Sequence, residues 1–358
     1  MVVVLVLAGT IALGVSQLGA HKVVHILGSA RPGWVVAALA LMMLSLVARA
    51  ASWLEILRAA VPDGAVRWPP VLRATMIGVM GSAVFPGRLG EPARVLVVSR
   101  QLSGPARQRV PLVAGTVLSQ LLLNLVALTI LAVVTFSSVP LFHGHEGGVA
   151  AAATLGVVLF VVVIIGPRLL AVGRRSRSKR VAAASVSVAR LLELARHGLV
   201  VFATPRRGIP AALAQLGAWV LQWLSCYTVL LALGLQGDNG AIAAAAVLLA
   251  VNVSAVLPPT PANVGVFQAA CVVVLAAFGV GAGAGLAYGI LLQAVEVVTA
   301  LALGSAALLG EGMTWREVRR AVSDQQSAEA MSPAAPTSNS PPDGPDQDDE
   351  SRSRAQAR

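Results

Sequence analysis

Charge is scarce in this chain. Of its 358 residues only 12% are Asp, Glu, Lys or Arg, about half the share of an ordinary soluble domain. That deficit excludes a water-soluble globular enzyme. Two cysteines exclude a disulfide scaffold, and no zinc spacing exists. Cys226 and Cys271 lie inside apolar runs and read as reduced, buried, inert thiols. There is no G-x-x-x-x-G-K-[ST], so the chain is not expected to hydrolyse ATP, and no H-E-x-x-H or G-x-S-x-G. His143 and His145 flank Gly144 in a loop, a weak metal signal, while His21, His25 and His197 are dispersed. No metal and no cofactor is expected.

What the chain has instead is apolar length. Hydrophobic residues make up 56% and mean hydropathy is +0.78, the composition of a polytopic membrane protein. The net charge of +11 comes from basic residues between the apolar runs, where they set topology and meet anionic head groups rather than nucleic acid.

The runs divide as follows. Val2–Ala20 is uncharged and long enough to span. It lacks the basic start and clear cleavage site of a signal peptide, so it reads as an anchor. Its abrupt apolar start raises the suspicion that the true beginning lies upstream of Met1. Pro32 to about Leu57 is a second span. Ala74–Gly87 is uncharged for 14 residues, about 21 Å of helix, too short for a core of roughly 30 Å. Val110–Phe142, Gly147–Pro167 and Gly208–Gly237 are full spans. Asn239–Val295 runs 57 residues without a formal charge and must fold back, with breaks at Pro258–Pro261 and Gly279–Gly285. Its pieces are Ala241–Leu257, Ala262–Phe278 and Leu286–Leu309.

The stretch 168–207 holds ten Arg or Lys and one Glu. Within it Val188, Leu191, Leu192, Ala195 and Leu199 share one face, as in a helix lying on the membrane surface. This stretch is the strongest cytoplasmic anchor. Counting outward, 88–109 falls inside and 138–146 and 236–240 outside. The loop 21–31 also falls outside, a mild exception because it carries Lys22 and Arg31. The expected fold is therefore an all-α polytopic membrane protein: a transmembrane domain over 1–310, then a cytoplasmic, mostly disordered tail over 311–358. It has about six full spans and two broken re-entrant hairpins in an inverted repeat, with one extra span between the halves. Paired broken helices of opposite orientation point to a transport site near the midplane. Two ordinary spans over 241–280 remain the alternative.

Two motifs mark the breaks. In Phe85-Pro86-Gly87-Arg88-Leu89-Gly90-Glu91-Pro92-Ala93-Arg94 two prolines and two glycines forbid a continuous helix. Pro92 suits the first turn of a new helix, whose free N–H groups favour an anion. Arg88 and Arg94 are planar forks matched to phosphate, and Glu91 either caps the helix or pairs with an arginine. The plain alternative has both arginines only snorkelling to the interface. In Leu257-Pro258-Pro259-Thr260-Pro261-Ala262-Asn263-Val264-Gly265-Val266-Phe267-Gln268, Thr260 reads as an N-cap with Pro261 at the first helical position. Asn263 and Gln268 add polar groups there, and a structural turn is the alternative. Arg49, Gln120, Asn124, Gln222, Asn252, Gln293 and Glu296 all fall at membrane depth. Arg49 and Glu296 should face a cavity or a partner. Glu296 is the candidate for titrating or pairing with arginine. Helix–helix hydrogen bonds are the alternative for the amides.

These two motifs, with the last span from Ala287-Tyr288-Gly289 through Gly304, resemble the integral-membrane flippase-like family, the lysylphosphatidylglycerol synthase transmembrane region. The resemblance covers roughly 1–310. It implies a helical membrane fold with re-entrant elements and a role in moving or presenting lipids with charged or sugar head groups. It singles out Arg88, Glu91, Arg94, Thr260, Pro261 and Gly265, to which the residues themselves add Asn263 and Glu296. The chain departs from the usual family pattern at Ser119-Gln120, Pro261-Ala262-Asn263, Gln268 and Gln293, where neutral groups stand for several charges. Only about 48 residues follow the last span, so the soluble synthase domain is not expected.

The expected function is translocation of an anionic or glycosylated lipid between leaflets of the cytoplasmic (inner) membrane, without enzymatic activity. The partners are membrane lipids and no nucleic acid, with a homo-oligomer or a soluble partner recruited by the tail as open options. The alternatives are a membrane-embedded polyprenyl-phosphate or glycolipid transferase and a non-transporting partner subunit of a lipid-modifying enzyme.

Overall fold

The computed structural model describes residues 20–61, 66–84, 90–102, 106–138, 201, 204–254 and 265–311. Among them lie nine helices and no strand: α1 Ala20–Gly28, α2 Pro32–Ala60, α3 Trp68–Val84, α4 Gly90–Ser99, α5 Ala106–Ser138, α6 Pro205–Leu233, α7 Gly240–Ser254, α8 Val266–Ala276 and α9 Ala282–Glu311. Four segments are long and apolar enough to cross a membrane: Pro32–Ala60, Arg109–Ser137, Pro205–Leu233 and Ala282–Gly310. Each has 29 residues, about 44 Å of helix, which crosses a bilayer with length to spare. The apolar spans Val2–Ala20 and Gly147–Pro167, the surface helix within 168–207 and the tail lie outside the described residues.

Local chemistry sets the ends. Pro32 and Pro205 open α2 and α6, where a missing N–H costs nothing. Gly234 closes α6 at φ 67, its N–H bonding Leu230 and Leu231 carbonyls. Helix α3 begins six residues before the uncharged run starts, because Trp68-Pro69-Pro70 forms a proper first turn. Two readings need correction. Residues 21–28, taken as part of the outside loop 21–31, belong to α1, which begins at Ala20; Val23 is fully buried against Leu286 and Ala287 of α9. The piece placed at Ala262–Phe278 is helical only from Val266 to Ala276 among the described residues.

The most extensive helix packing is that of α2 on α6, which run antiparallel. Ser52 Oγ donates to the Ala211 carbonyl at 2.8 Å, and Ser225 Oγ to the Ala38 carbonyl at 2.9 Å. Between them Arg49 Nη2 meets Gln222 Oε1 at 2.5 Å, 173 residues apart in sequence. The same offset carries Ser52 to Ser225 and Ala38 to Ala211. Each serine bond is thus the image of the other, and Arg49–Gln222 maps onto itself.

The main helix pairings obey the same exchange. Helix α2 packs on α3, α3 on α4, α4 on α5 and α2 on α5, while α6 packs on α7, α7 on α8, α8 on α9 and α6 on α9. Crosswise, α3–α9 answers α5–α7 and α2–α9 answers α6–α5. Small residues permit the close crossings. A Cβ on Gly90 would sit 1.9 Å from the Gly78 carbonyl oxygen, so the α3–α4 hairpin closes only on glycine.

Two apolar cores result. One gathers Trp53, Ile56, Leu57 and Ile77 of the first half; the other gathers Leu230, Leu248, Leu275, Tyr288 and Leu292 of the second. The outward faces are apolar as well: Leu44, Ile209, Leu213, Val220 and Val273 are all more than half exposed. In water such faces would be an aggregation hazard; in a bilayer acyl chains cover them. This is a multi-pass membrane protein.

Candidate functional site: a buried arginine network between the halves

Arg94 sits in the second turn of α4 and is buried. Its Nη2 donates to Gln120 Oε1 of α5. Its Nε lies 3.2 Å from Glu91 Oε2, one turn earlier. Its guanidinium stacks over Trp53 of α2, 4.2 Å from the ring centroid. A buried arginine is costly unless charge, hydrogen bonds and a π face compensate it, and here all three do. Of the two roles open to Glu91, capping and pairing, the structure displays the ion pair. The guanidinium lies in the contact with α2 and α5.

From Gln120 the network continues. Gln120 Nε2 donates to the Arg49 carbonyl at 2.8 Å. The Arg49 side chain reaches Gln222 and lies 6.0 Å from the Trp219 ring centroid. Its Nε is buried without a hydrogen-bond partner. Glu296 of α9 lies within coulombic reach of Arg49, as do Arg94 and Glu91. Asn124 Oδ1 accepts from both Gln215 Nε2 at 3.1 Å and Trp219 Nε1 at 3.0 Å. Trp53 Nε1 donates to Thr116 Oγ1 at 3.1 Å. Two arginines, Glu91, four amides and two indoles thus form one polar cluster inside an otherwise apolar bundle, with Glu296 near it.

The second hairpin carries a neutral version. Gln268 Nε2 donates to Gln293 Oε1, and Gln268 Oε1 accepts from the Gly265 N–H at 2.7 Å, three residues back. Gln293 is the image of Gln120 under the offset of 173. Gln268 stands to it as Arg94 stands to Gln120. Gly265 has φ 91, a conformation that a side chain strains. This is the physical reason for glycine at that candidate position.

Of the residues singled out from sequence, Glu91 and Arg94 meet in the cluster, and Glu296 lies near Arg49. Gly265 belongs to the second hairpin. Arg88, Thr260, Pro261 and Asn263 lie outside the described residues. Arg49, Gln120, Asn124 and Gln222, noted as polar groups at membrane depth, join the cluster. Asn252 instead donates to its own helix at the Leu248 carbonyl, 2.8 Å away. The indoles of Trp53 and Trp219 were missed, since tryptophan within an apolar run carries no signal of which face it takes. Cys226 and Cys271 are buried free thiols, as expected. Among the described residues no group of three His, Cys, Asp or Glu could hold a metal.

A further feature adjoins the cluster. A groove of about 470 Å³ opens between α5, α6 and α7, lined by Ile130, Leu131, Val134, Trp223 and Ala245, with Trp219 as its inner wall.

Comparison with known proteins gives one match. The family described as the lysylphosphatidylglycerol synthase TM region matches residues 1–304. No curated protein and no solved structure matches the chain.

Proposed function

Because this chain belongs to the lysylphosphatidylglycerol synthase TM region family, we propose that it moves a lipid with an anionic or glycosylated head group between the leaflets of the cytoplasmic membrane. One observation carries the reading: a cluster with two buried arginines at the meeting of its two halves, inside a membrane bundle. Arginine at membrane depth marks a pathway or a ligand far more often than a structural filler. The guanidiniums of Arg94 and Arg49 take the phosphate, joined by Arg88 from the break of the first hairpin. The indole faces keep the guanidiniums ordered, and Glu91 and Glu296 balance their charge when the site is empty.

The architecture fits this task. We read α2–α5 and α6–α9 as an inverted repeat about an axis through the Arg49–Gln222 contact. The antiparallel α2–α6 pair and the exchange of helix pairings support it. The hairpins α3–α4 and α7–α8 are re-entrant. Their described arms have 17, 10, 15 and 11 residues, and none reaches about 30 Å. Thr260, Pro261, Asn263 and Gly265 shape the second break. The chain performs no covalent chemistry. It works on membrane lipids without nucleic acid, alone or as a homo-oligomer. The basic stretch 168–207 and the tail face the cytoplasm.

The test is reconstitution in proteoliposomes carrying fluorescent phosphatidylglycerol, read by dithionite quenching of the outer leaflet. The wild-type chain should equilibrate the probe between leaflets. Arg94→Gln, which keeps a donor to Gln120 but loses the charge, should abolish transfer. Unchanged transfer in that variant would remove the reading.

A further inference from the structure

The two halves repeat one another, but their outer seams differ. The seam between α3 and α9 is shut. A Cβ on Gly304 would lie 2.3 Å from the Met80 Cβ, and Leu303, Ala307 and Leu308 share one core with Leu46, Val47 and Leu72. Its image, the seam between α5 and α7, is the groove of about 470 Å³. Subtracting or adding 173 shows how closely they correspond. Ile130, Leu131, Val134 and Trp219 of the groove become Leu303, Gly304, Ala307 and Leu46 of the closed core. One set of positions is open in one half and filled in the other.

The shapes permit an exchange. In the closed seam a large Met80 on α3 meets a small Gly304 on α9. In the open seam Ile130, Leu131 and Val134 are on α5, and the small residues Ala241 and Ala245 stand beside Ile242 on α7. Either seam can close by setting large against small, while the contacts on the axis can stay as they are. Arg49 and Gln222 lie on that axis. Trp219 stands between Arg49 and the open groove, and its image Leu46 stands in the closed core. The buried, unpartnered Nε of Arg49 leaves one donor of this shared floor free for a ligand.

We infer that Arg49 with Gln222 forms one anion-binding floor served in turn by two seams, α5–α7 and α3–α9, one opening as the other closes. The structure holds the state with α5–α7 open. The inference takes its ligand class, an anionic lipid, from the lipid-transport reading, but its geometry stands apart from that reading. A protein that exchanges two such states presents one site to two surroundings, and a ligand shifts them only by binding them unequally.

The test measures both seams in the full chain in proteoliposomes by spin-label distances. One pair is Val133→Cys with Ala241→Cys across the open seam. The other is Ala306→Cys, the image of Val133, with Pro69→Cys, one residue past the image of Ala241, across the closed one. All four positions are exposed, and the native Cys226 and Cys271 are buried. Gly304→Leu wedges the closed seam. It should lengthen the 306–69 distance and shorten the 133–241 distance, each by on the order of 5 Å. Met80→Ala loosens the same contact without a wedge and should give the same two shifts at smaller amplitude. A 306–69 distance that lengthens while 133–241 stays fixed would overturn the exchange, as would unchanged distances in both variants. Raising phosphatidylglycerol at the expense of phosphatidylcholine should move the two distances in opposite directions in the parent chain. Arg49→Gln should remove that lipid response; a response that survives it would overturn the floor. Reciprocal, Arg49-dependent shifts without movement of fluorescent lipid would end the transport reading and leave this one standing.

Discussion

The two hairpins hold the same hydrogen bond with different chemistry. In the first, Arg94 bonds Gln120, pairs with Glu91 and stacks on Trp53. In the second, Gln268 bonds Gln293 and accepts from the Gly265 backbone. Geometry is shared because a polar pair at this place ties a short hairpin to the span that follows. Charge is not shared, because each buried charge is costly. The fold therefore resides in what the halves have in common, and the chemistry in what they do not.

The comparison is broken most forcefully at its charged end. Arg94→Ala removes the buried bond to Gln120, the stacking on Trp53 and a pair with the part-exposed Glu91, and should cost about 2 kcal/mol. Gln268→Ala removes two neutral bonds and should cost about 1 kcal/mol. Thermal midpoints of both variants in detergent check the ranking. Equal losses would mean that the charge at Arg94 adds nothing that an amide does not.

The next effect tests why the first hairpin is tight. Gly90→Ala drives a Cβ into the Gly78 carbonyl and Ser82 Oγ, and should destabilise by about 2 kcal/mol through forced separation of α3 and α4. Gly217→Ala on α6 meets nothing within 4 Å and should leave stability unchanged or raise it by about 0.5 kcal/mol. Measured together by thermal unfolding, they separate steric need for glycine from its helix propensity. Trp53→Phe comes third. It keeps a ring over Arg94 but leaves Thr116 without its indole donor, a loss of about 1 kcal/mol, read the same way.

Much of this was legible beforehand, and the reason is hydropathy. The spans Pro32–Ala60 and Pro205–Leu233 stand out because a bilayer admits only long apolar helices there, and Pro86-Gly87 and Pro258–Pro261 stand out because prolines end helices. Arg49 and Glu296 were legible as groups needing company, though not whose. Helix α1 was hidden because His21, Lys22 and His25 gave residues 21–31 the look of a loop, while the burial of Val23 depends on α9, far along the chain. The offset of 173 was hidden for another reason. Lipid-facing positions exchange Ala, Val and Leu freely, so the repeat survives in scattered identities, among them Pro32 and Pro205, Ala38 and Ala211, Ser52 and Ser225, Leu57 and Leu230, Gln120 and Gln293. Such matches are too sparse to notice until the hydrogen bonds connect them.

The smallest expected effect sharpens the comparison furthest. Ser52 and Ser225 are both fully buried, and each ties its helix to a carbonyl of the other. Hydrogen bonds between membrane helices contribute about 0.6 kcal/mol on average. Ser52→Ala and Ser225→Ala should each lower stability by about that much. If the central pair is a true two-fold contact, the losses should agree to within about 0.3 kcal/mol and add in the double variant, since neither bond shares an atom with the other. Thermal midpoints of the two single variants and the double variant measure this directly. Losses differing by about 1 kcal/mol would place unequal strain on the two sides of Arg49. The symmetry of α2 and α6 would then be one of pattern, without equal energy behind it.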